Sequence, residues 1–219
     1  MIWNFKTMNI LYLTNHLNIG GISSYVLTLA AGIKKRGHNV YIASSGGQLL
    51  SSFITEGIIY IPIPIKTKSE ASYKLLISKF KLLKYIKEKN IEIIHANTRV
   101  TQVLSFLIQR YCGRPYVSTC HGFFKKRFFR RIFPCWGNRV IAISESVKEH
   151  LIRDFQVKEE DVVVIHNGID VDRFREQPAP ARTIGGPGRT DKRRLGVGQR
   201  PGDRNSCQAL RRKRARLSY

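Results

Sequence analysis

Apolar residues follow two rhythms along most of the chain. Short unbroken runs, such as NILYLT at 9–14, IEIIHA at 91–96 and VVVIHN at 162–167, alternate with longer stretches in which apolar positions recur every three or four residues. The runs predict strands at Asn9 to Thr14, Asn39 to Ser44, Ile58 to Ile61, Ile91 to Ala96, Tyr116 to Cys120, Arg139 to Ile143 and Val162 to His166. The spaced stretches predict helices at Ile22 to Lys35, Gln48 to Glu56, Glu70 to Lys89, Val100 to Tyr111 and Val147 to Phe155. Unbroken apolar strands suit a sheet covered on both faces, and the alternation with helices predicts an α/β fold. Its parallel sheet is wound by right-handed crossovers with helices on both sides. In the long helix, Lys74, Lys81 and Lys84 accompany Leu75, Leu76, Phe80 and Leu83. The charge there is read as a solvated face, with the apolar stripe turned to the sheet.

In such a sheet, ligands collect at the carboxyl ends of the strands, where loops lead into helix N-termini whose free N–H groups favour anions. After the first strand come Asn15-His16-Leu17-Asn18-Ile19-Gly20-Gly21, then Ser23 and Ser24, either of which can cap the helix. Gly20-Gly21 is either a tight turn or a loop that lets a ligand approach the backbone. It matches neither GxGxxG nor GxxxxGK[ST], so neither a dinucleotide fingerprint nor a P-loop is supported. The fifth strand leads into His121-Gly122, placing an imidazole at the same edge. His121 is a polar contact or proton-handling group for a hydroxyl substrate, or else is satisfied by a neighbouring loop. His16, His95 and His166 also fall at or just beyond strand ends, and Asn167-Gly168 reads as a turn with positive φ.

Composition adds a large positive charge to this picture. The 219 residues carry 38 Lys and Arg against 15 Asp and Glu, a formal +23, with 42% hydrophobic residues, enough for a real core. The charge is uneven: residues 1–177 sum to +13 and residues 178–219 to +10. That last segment is Arg-, Gly- and Pro-rich with no core-length apolar run, and it is read as a disordered basic tail. Cys112, Cys120, Cys135 and Cys207 lack CxxC or zinc-finger spacing, so no metal site or disulfide framework is expected, and a reduced cytoplasmic setting is the default. The apolar stretch Ile58 to Ile65 is broken by Pro62 and Pro64, and no spanning segment is expected. The N-terminus reads as a first strand and not as a signal peptide.

Phe123 to Phe133 interleaves aromatic and basic residues. On a helix, Phe124, Phe128 and Ile132 line up, with Lys125, Lys126, Arg127, Arg130 and Arg131 around them. That pattern suits the interface of an anionic membrane, or a helix packed by its Phe face onto the domain.

Several of these pieces, in order, resemble one family. Gly20-Gly21, Arg36-Gly37-His38-Asn39-Val40, His121-Gly122, Val140-Ile141-Ala142-Ile143-Ser144-Glu145-Ser146 and Val164-Ile165-His166-Asn167-Gly168-Ile169-Asp170 with Phe174 look like the N-terminal half of GT-B glycosyltransferases of family 4. The resemblance implies a Rossmann-like acceptor-side domain over residues 1–177 of a retaining, sugar-nucleotide-dependent enzyme that needs no bound metal. It would act on a cell-envelope glycan or lipid-linked acceptor, in the cytoplasm or at the inner face of the plasma membrane. It places His121 on the acceptor side of the reaction centre, Gly20 and Gly21 near the phosphates, and Asn167-Gly168 at the crossing into a donor-binding second domain.

The Glu-x7-Glu motif implied for that second domain does not occur in the chain. Read one base later, the degenerate codons of residues 202–215 permit Val-Ile-Gly-Ile-Val-Ala-Arg-Leu-Ser and, one residue on, Glu-Lys-Gly-His. These resemble the first strand and phosphate loop of the family's second domain. The expectation is therefore a frameshift between about Phe174 and Arg189, an out-of-frame tail at 178–219, and a half-enzyme inactive alone unless another chain supplies the missing domain. A nucleotide-sugar donor is expected only for the full-length parent. The alternative is a non-enzymatic α/β ligand-binding protein whose tail, ending Arg211-Arg212-Lys213-Arg214-Ala215-Arg216, binds nucleic acid.

Overall fold

The computed structural model describes residues 6–67, 69–70, 72–125, 130 and 133–169, all within one compact unit. The tail expected at 178–219 lies outside the described residues. So do Lys126, Arg127, Phe128 and Arg131.

Strands and helices alternate as expected: β1 (Asn9–Leu13), α1 (Gly21–Lys35), β2 (Asn39–Ser44), α2 (Leu50–Thr55), β3 (Ile59–Pro62), α3 (Tyr73–Glu88) and β4 (Ile93–Ala96). Then follow α4 (Arg99–Cys112), β5 (Tyr116–Cys120), β6 (Arg139–Ala142), α5 (Glu145–Phe155) and β7 (Val162–Val164). Among the described residues seven strands pair in parallel in the order β3-β2-β1-β4-β5-β6-β7. The chain thus winds outward from β1 to β3, then returns to β1 and winds the other way. This reversal leaves a crevice beyond the carboxyl ends of β1 and β4, where neighbouring crossovers diverge to opposite faces.

Strand pleating divides the core. Tyr12, Val40 and Ile42 pack with Val26 and Ala30 of α1 and Phe53 of α2 on one face. Leu11, Leu13, Tyr41 and Ile94 pack with Leu75, Leu82 and Ile86 of α3 and Leu104 of α4 on the other. A third cluster joins Val147, Leu151 and Phe155 of α5 to Cys120, Val140, Ala142 and Trp136. Local signals set the helix ends. Ser72 and Ser144 cap α3 and α5, Thr98 and Thr101 form a reciprocal box at α4, and Gly113 closes α4 at φ 69°.

One turn is set by close approach as well as by conformation. Gly137 has φ 93°, and a Cβ there would lie 2.5 Å from the Tyr116 carbonyl oxygen and 2.9 Å from its ring. Gly137→Ala is expected to cost on the order of 3 kcal/mol in urea unfolding, as strain and overpacking add. An unchanged midpoint would contradict this.

The long helix departs from its expected orientation. Leu75 is buried and Leu83 half-buried against the sheet, but Leu76 and Phe80 point outward, 52% and 65% exposed. Ser78, Leu82 and Ile86 supply the buried face instead.

Candidate functional site

The turns after β1, β4 and β5 meet at the crevice. Asn15 donates from Nδ2 to the Thr67 carbonyl (2.9 Å) and accepts from the Thr98 hydroxyl (2.7 Å), tying the first turn to the start of α4. A cavity of about 280 Å³ opens beside them, lined among others by Ile22, Asn97, Thr98, Thr119, His121 and Gly122. Ile22 follows directly on Gly20-Gly21. Both glycines are exposed, with open space where a Cβ would sit, so neither is demanded by packing. The expected serine cap is not formed: Gly20 is the cap residue with no side-chain bond, and Ser23 instead donates to the His16 carbonyl at 3.3 Å. Among the described residues the first N–H groups of α1 therefore have no side-chain acceptor, which favours an anion near that end.

Under the cavity lies a polar chain. His95, 5% exposed, shares a 2.7 Å hydrogen bond with the Thr119 hydroxyl and packs its ring 5.0 Å from Tyr12. Tyr25 reaches Thr119 at 3.5 Å and sets its ring edge-on to His121, 4.8 Å between centroids. Burial holds the His121 imidazole down at about 4 from an ordinary 6.5. Burial, with the neighbouring His121, holds His95 at about 3. Both are neutral at physiological pH. An imidazole so depressed is a poor base and a good neutral hydrogen-bonding partner, which favours contact with a hydroxyl over proton abstraction. Burial also pushes the Cys120 thiol up to about 12, leaving it unreactive.

Two buried atoms at the cavity lack partners among the described residues: His121 Nε2 and Asn97 Oδ1. The Asn97 amide is held by the carbonyls of Leu13 (3.4 Å) and His95 (3.2 Å), which leaves the oxygen unused. An unpaired buried polar atom costs roughly 1–3 kcal/mol, so the pair marks a place for a ligand's hydroxyl groups.

An adjoining cavity of about 250 Å³ includes Glu70, Arg99, Lys125 and Arg130. Arg99, though 9% exposed, is fully engaged. It bonds Glu70 at 3.1 Å and the carbonyls of Phe133 and Pro134 at 2.5 Å each. Arg130 reaches the same carboxylate at 3.7 Å and lies 4.5 Å over the Phe124 ring. Phe124 packs on Trp136 and Phe155, and its backbone N–H donates to His150 Nε2 at 3.0 Å. These contacts correct part of the membrane-facing set: Phe124 and Arg130 turn inward, because a ring cluster and a shared carboxylate hold them. Residues 123–125 are not helical. Phe123 and Lys125 are exposed.

Asn167 and Gly168 are exposed, and Gly168 does not adopt the left-handed φ expected of it. Gly168 lines a separate cavity of about 320 Å³ along α1, with Tyr25, Arg36 and His166. The structure thus puts His121 at one cavity, which the Gly20-Gly21 turn adjoins through Ile22, and Gly168 at another; Tyr25 lines the second and contacts Thr119 and His121 of the first. Asn97, Thr119 and Arg99 were not singled out from sequence. The first two sit at carboxyl ends of strands, a signal that could have marked them.

The family model for Glycosyltransferase Family 4 matches residues 19–173, from within the turn after β1 onward. The chain belongs to glycosyltransferase family 4. It is 27% identical to a phosphatidyl-myo-inositol mannosyltransferase of Mycolicibacterium smegmatis over 81% of this chain and 49% of that protein. It is 24% identical to an Escherichia coli UDP-Gal:alpha-D-GlcNAc-diphosphoundecaprenol alpha-1,3-galactosyltransferase over 57% of this chain and 35% of that one. In fold it is similar to a glycosyltransferase of Rickettsia africae, with TM-score 0.67 and 24% identity over 78% of this chain and 45% of the other. The family-4 chain spans half or less of the length of these relatives. Its Rossmann-like sheet is that of a GT-B N-terminal domain.

Proposed function

We propose that this family-4 chain is the acceptor-side half of a retaining, nucleotide-sugar-dependent glycosyltransferase. Its acceptor is a lipid-linked or cell-envelope glycan at the inner face of the plasma membrane. The observation that carries the reading is the pair of unpartnered buried atoms, His121 Nε2 and Asn97 Oδ1, at one cavity on the carboxyl edge of the sheet. A neutral imidazole and an amide oxygen suit the hydroxyls of a sugar or polyol, and the open Gly20-Gly21 turn with the uncapped start of α1 suits a phosphate beside them. Lipid-borne substrates in the names of the mycobacterial and Escherichia coli relatives support the acceptor class.

In this reading the nucleotide sugar is held mainly by the second half of the family fold, which the described residues do not include. Asn167-Gly168 leads towards it, and transfer proceeds without a bound metal. Exposed Phe123 and Lys125 add a peripheral contact with the anionic membrane surface.

The test is a titration of isotope-labelled chain with inositol 1-phosphate and N-acetylglucosamine 1-phosphate, followed by NMR. At least one probe should shift the Asn97 side-chain amide and the His121 ring. His121→Leu should weaken that binding about tenfold while leaving the urea midpoint unchanged or higher, since no hydrogen bond is lost. If neither probe moves these resonances, or if His121→Leu unfolds the domain, the reading fails.

A further inference from the structure

Helix α3 carries two apolar stripes. One, formed by Leu75, Leu82 and Ile86 with Ser78, is buried against the sheet. The other is Tyr73, Leu76, Ile77 and Phe80, spaced i, i+3, i+4, i+7, and these side chains are 68%, 52%, 49% and 65% exposed. At 3.6 residues per turn this second stripe lies on the opposite side of the helix from the first. A surface helix of a globular domain normally has polar residues there.

Around the stripe are Lys74, Lys79, Lys81, Lys84 and Lys87, and the helix's single acid, Glu88, is paired with Lys84 at 3.8 Å. Lys79 also sits 5.1 Å over the exposed ring of Tyr111 at the end of α4, extending the patch across the helix pair. Tyr73, at the other end, follows Glu70 by three residues. Through Arg99, Glu70 is fastened to the first turn of α4, at the rim of the site cavity.

We propose that this outer face of α3 is a docking surface for an anionic lipid bilayer, lying in the interface with its aromatic and aliphatic side chains among the headgroups. Charge complementarity decides the occupant. Exposed apolar residues set among lysines with almost no acid match a surface that is apolar below and anionic above. Seated this way, the stripe from Tyr73 to Phe80 runs about 10 Å along the membrane and ends beside the site cavity. The inference rests on the face itself and not on the transfer reaction, so a chain that binds bilayers but no sugar phosphate would leave it standing.

Vesicle flotation of the full chain tests it, with phosphatidylcholine vesicles containing or lacking phosphatidylglycerol, at low and physiological salt. The chain should float with the anionic vesicles, and part of that binding should survive added salt. Leu76→Ser with Phe80→Ser should lower the bound fraction about tenfold and remove the salt-resistant part, because it strips the apolar contact. Both side chains are exposed, so circular dichroism should be unchanged. Lys81→Gln with Lys84→Gln should move the loss of binding to lower salt. Arg211→Gln with Arg212→Gln and Arg214→Gln should leave the salt-resistant part intact, and Phe80→Trp should give emission that brominated lipid quenches.

Three outcomes overturn the proposal. One is a folded Leu76→Ser, Phe80→Ser chain that binds as well as the wild type. Another is binding abolished by the Arg211, Arg212 and Arg214 substitutions alone. The third is a face whose substitution dissociates a dimer in sedimentation while vesicle binding is unaffected.

Discussion

Stability is expected to fall steeply as the pH drops from 6.5 towards 4. His95 and His121 are neutral in the folded chain, with values near 3 and 4 against 6.5 when exposed. Above 6.5 neither state binds the extra protons and stability is flat. Below it the unfolded chain takes up two protons that the folded chain refuses, so stability is lost at about 1.4 kcal/mol per pH unit for each imidazole, or about 3 for both. The imidazole part of the slope halves below about 4, where His121 is protonated in the folded state too, and ends near 3. Glu92, held low chiefly by the Asn9 N–H, and Glu159, held low chiefly by Lys148, act in the same direction. They do so only once pH falls below their ordinary 4.5. Urea midpoints recorded across this range check the effect. His95→Gln, which can keep a bond to Thr119, should remove about half the slope above 4.5. A flat profile between 6.5 and 5 would show that the two rings are not held neutral by burial.

Arg99→Ala is expected to cost about 3–5 kcal/mol, the largest loss from a single polar side chain in the domain. The substitution leaves Glu70 facing Arg130 across 3.7 Å and takes the donors from two carbonyls, Phe133 and Pro134, thirty-odd residues away. Those two bonds hold the segment running into Trp136, whose carbonyl accepts from Ser118 in β5 at 2.5 Å, so the damage should reach the sheet. Arg99→Lys keeps the charge but not the planar fork and should recover only part of the loss. Lys84→Ala, on an exposed ion pair, should change stability by less than about 0.5 kcal/mol. Chemical denaturation of the three variants gives the comparison, and an Arg99→Ala chain as stable as Lys84→Ala would mean the cluster is ornamental.

The parallel sheet was legible because β1, β4 and β7 lie in nearly continuous apolar runs, a pattern that few other structures accommodate. Helix ends shifted where a cap outweighed the apolar period. The long helix begins at Tyr73 and not at Glu70, since Ser72 accepts from Lys74 N–H while Glu70 is engaged by Arg99. Which stripe of α3 faces inward was not legible, because two stripes of nearly equal strength share one helix and only packing on the sheet chooses between them. His121 was found from its place after β5. Its partners were not, since Tyr25, His95 and Asn97 come from other crossovers and meet only when the strand order is known. The Glu70, Arg99 and Arg130 cluster was hidden for the same reason: its members lie roughly thirty residues apart, and in sequence each is one charge among many.

The borders of the sheet bear on how the protein behaves when concentrated. On one side the last strand, β3, ends in a proline, which has no N–H to offer an approaching strand; on the other, β7 is only three residues long. Neither border is a good template for edge-to-edge growth into fibres. Clumping should instead begin on the lysine-rimmed stripe of α3, where mutual repulsion keeps copies apart in dilute buffer. Salt, by screening that repulsion, should be what precipitates the protein, and a soluble polyanion what keeps it dispersed.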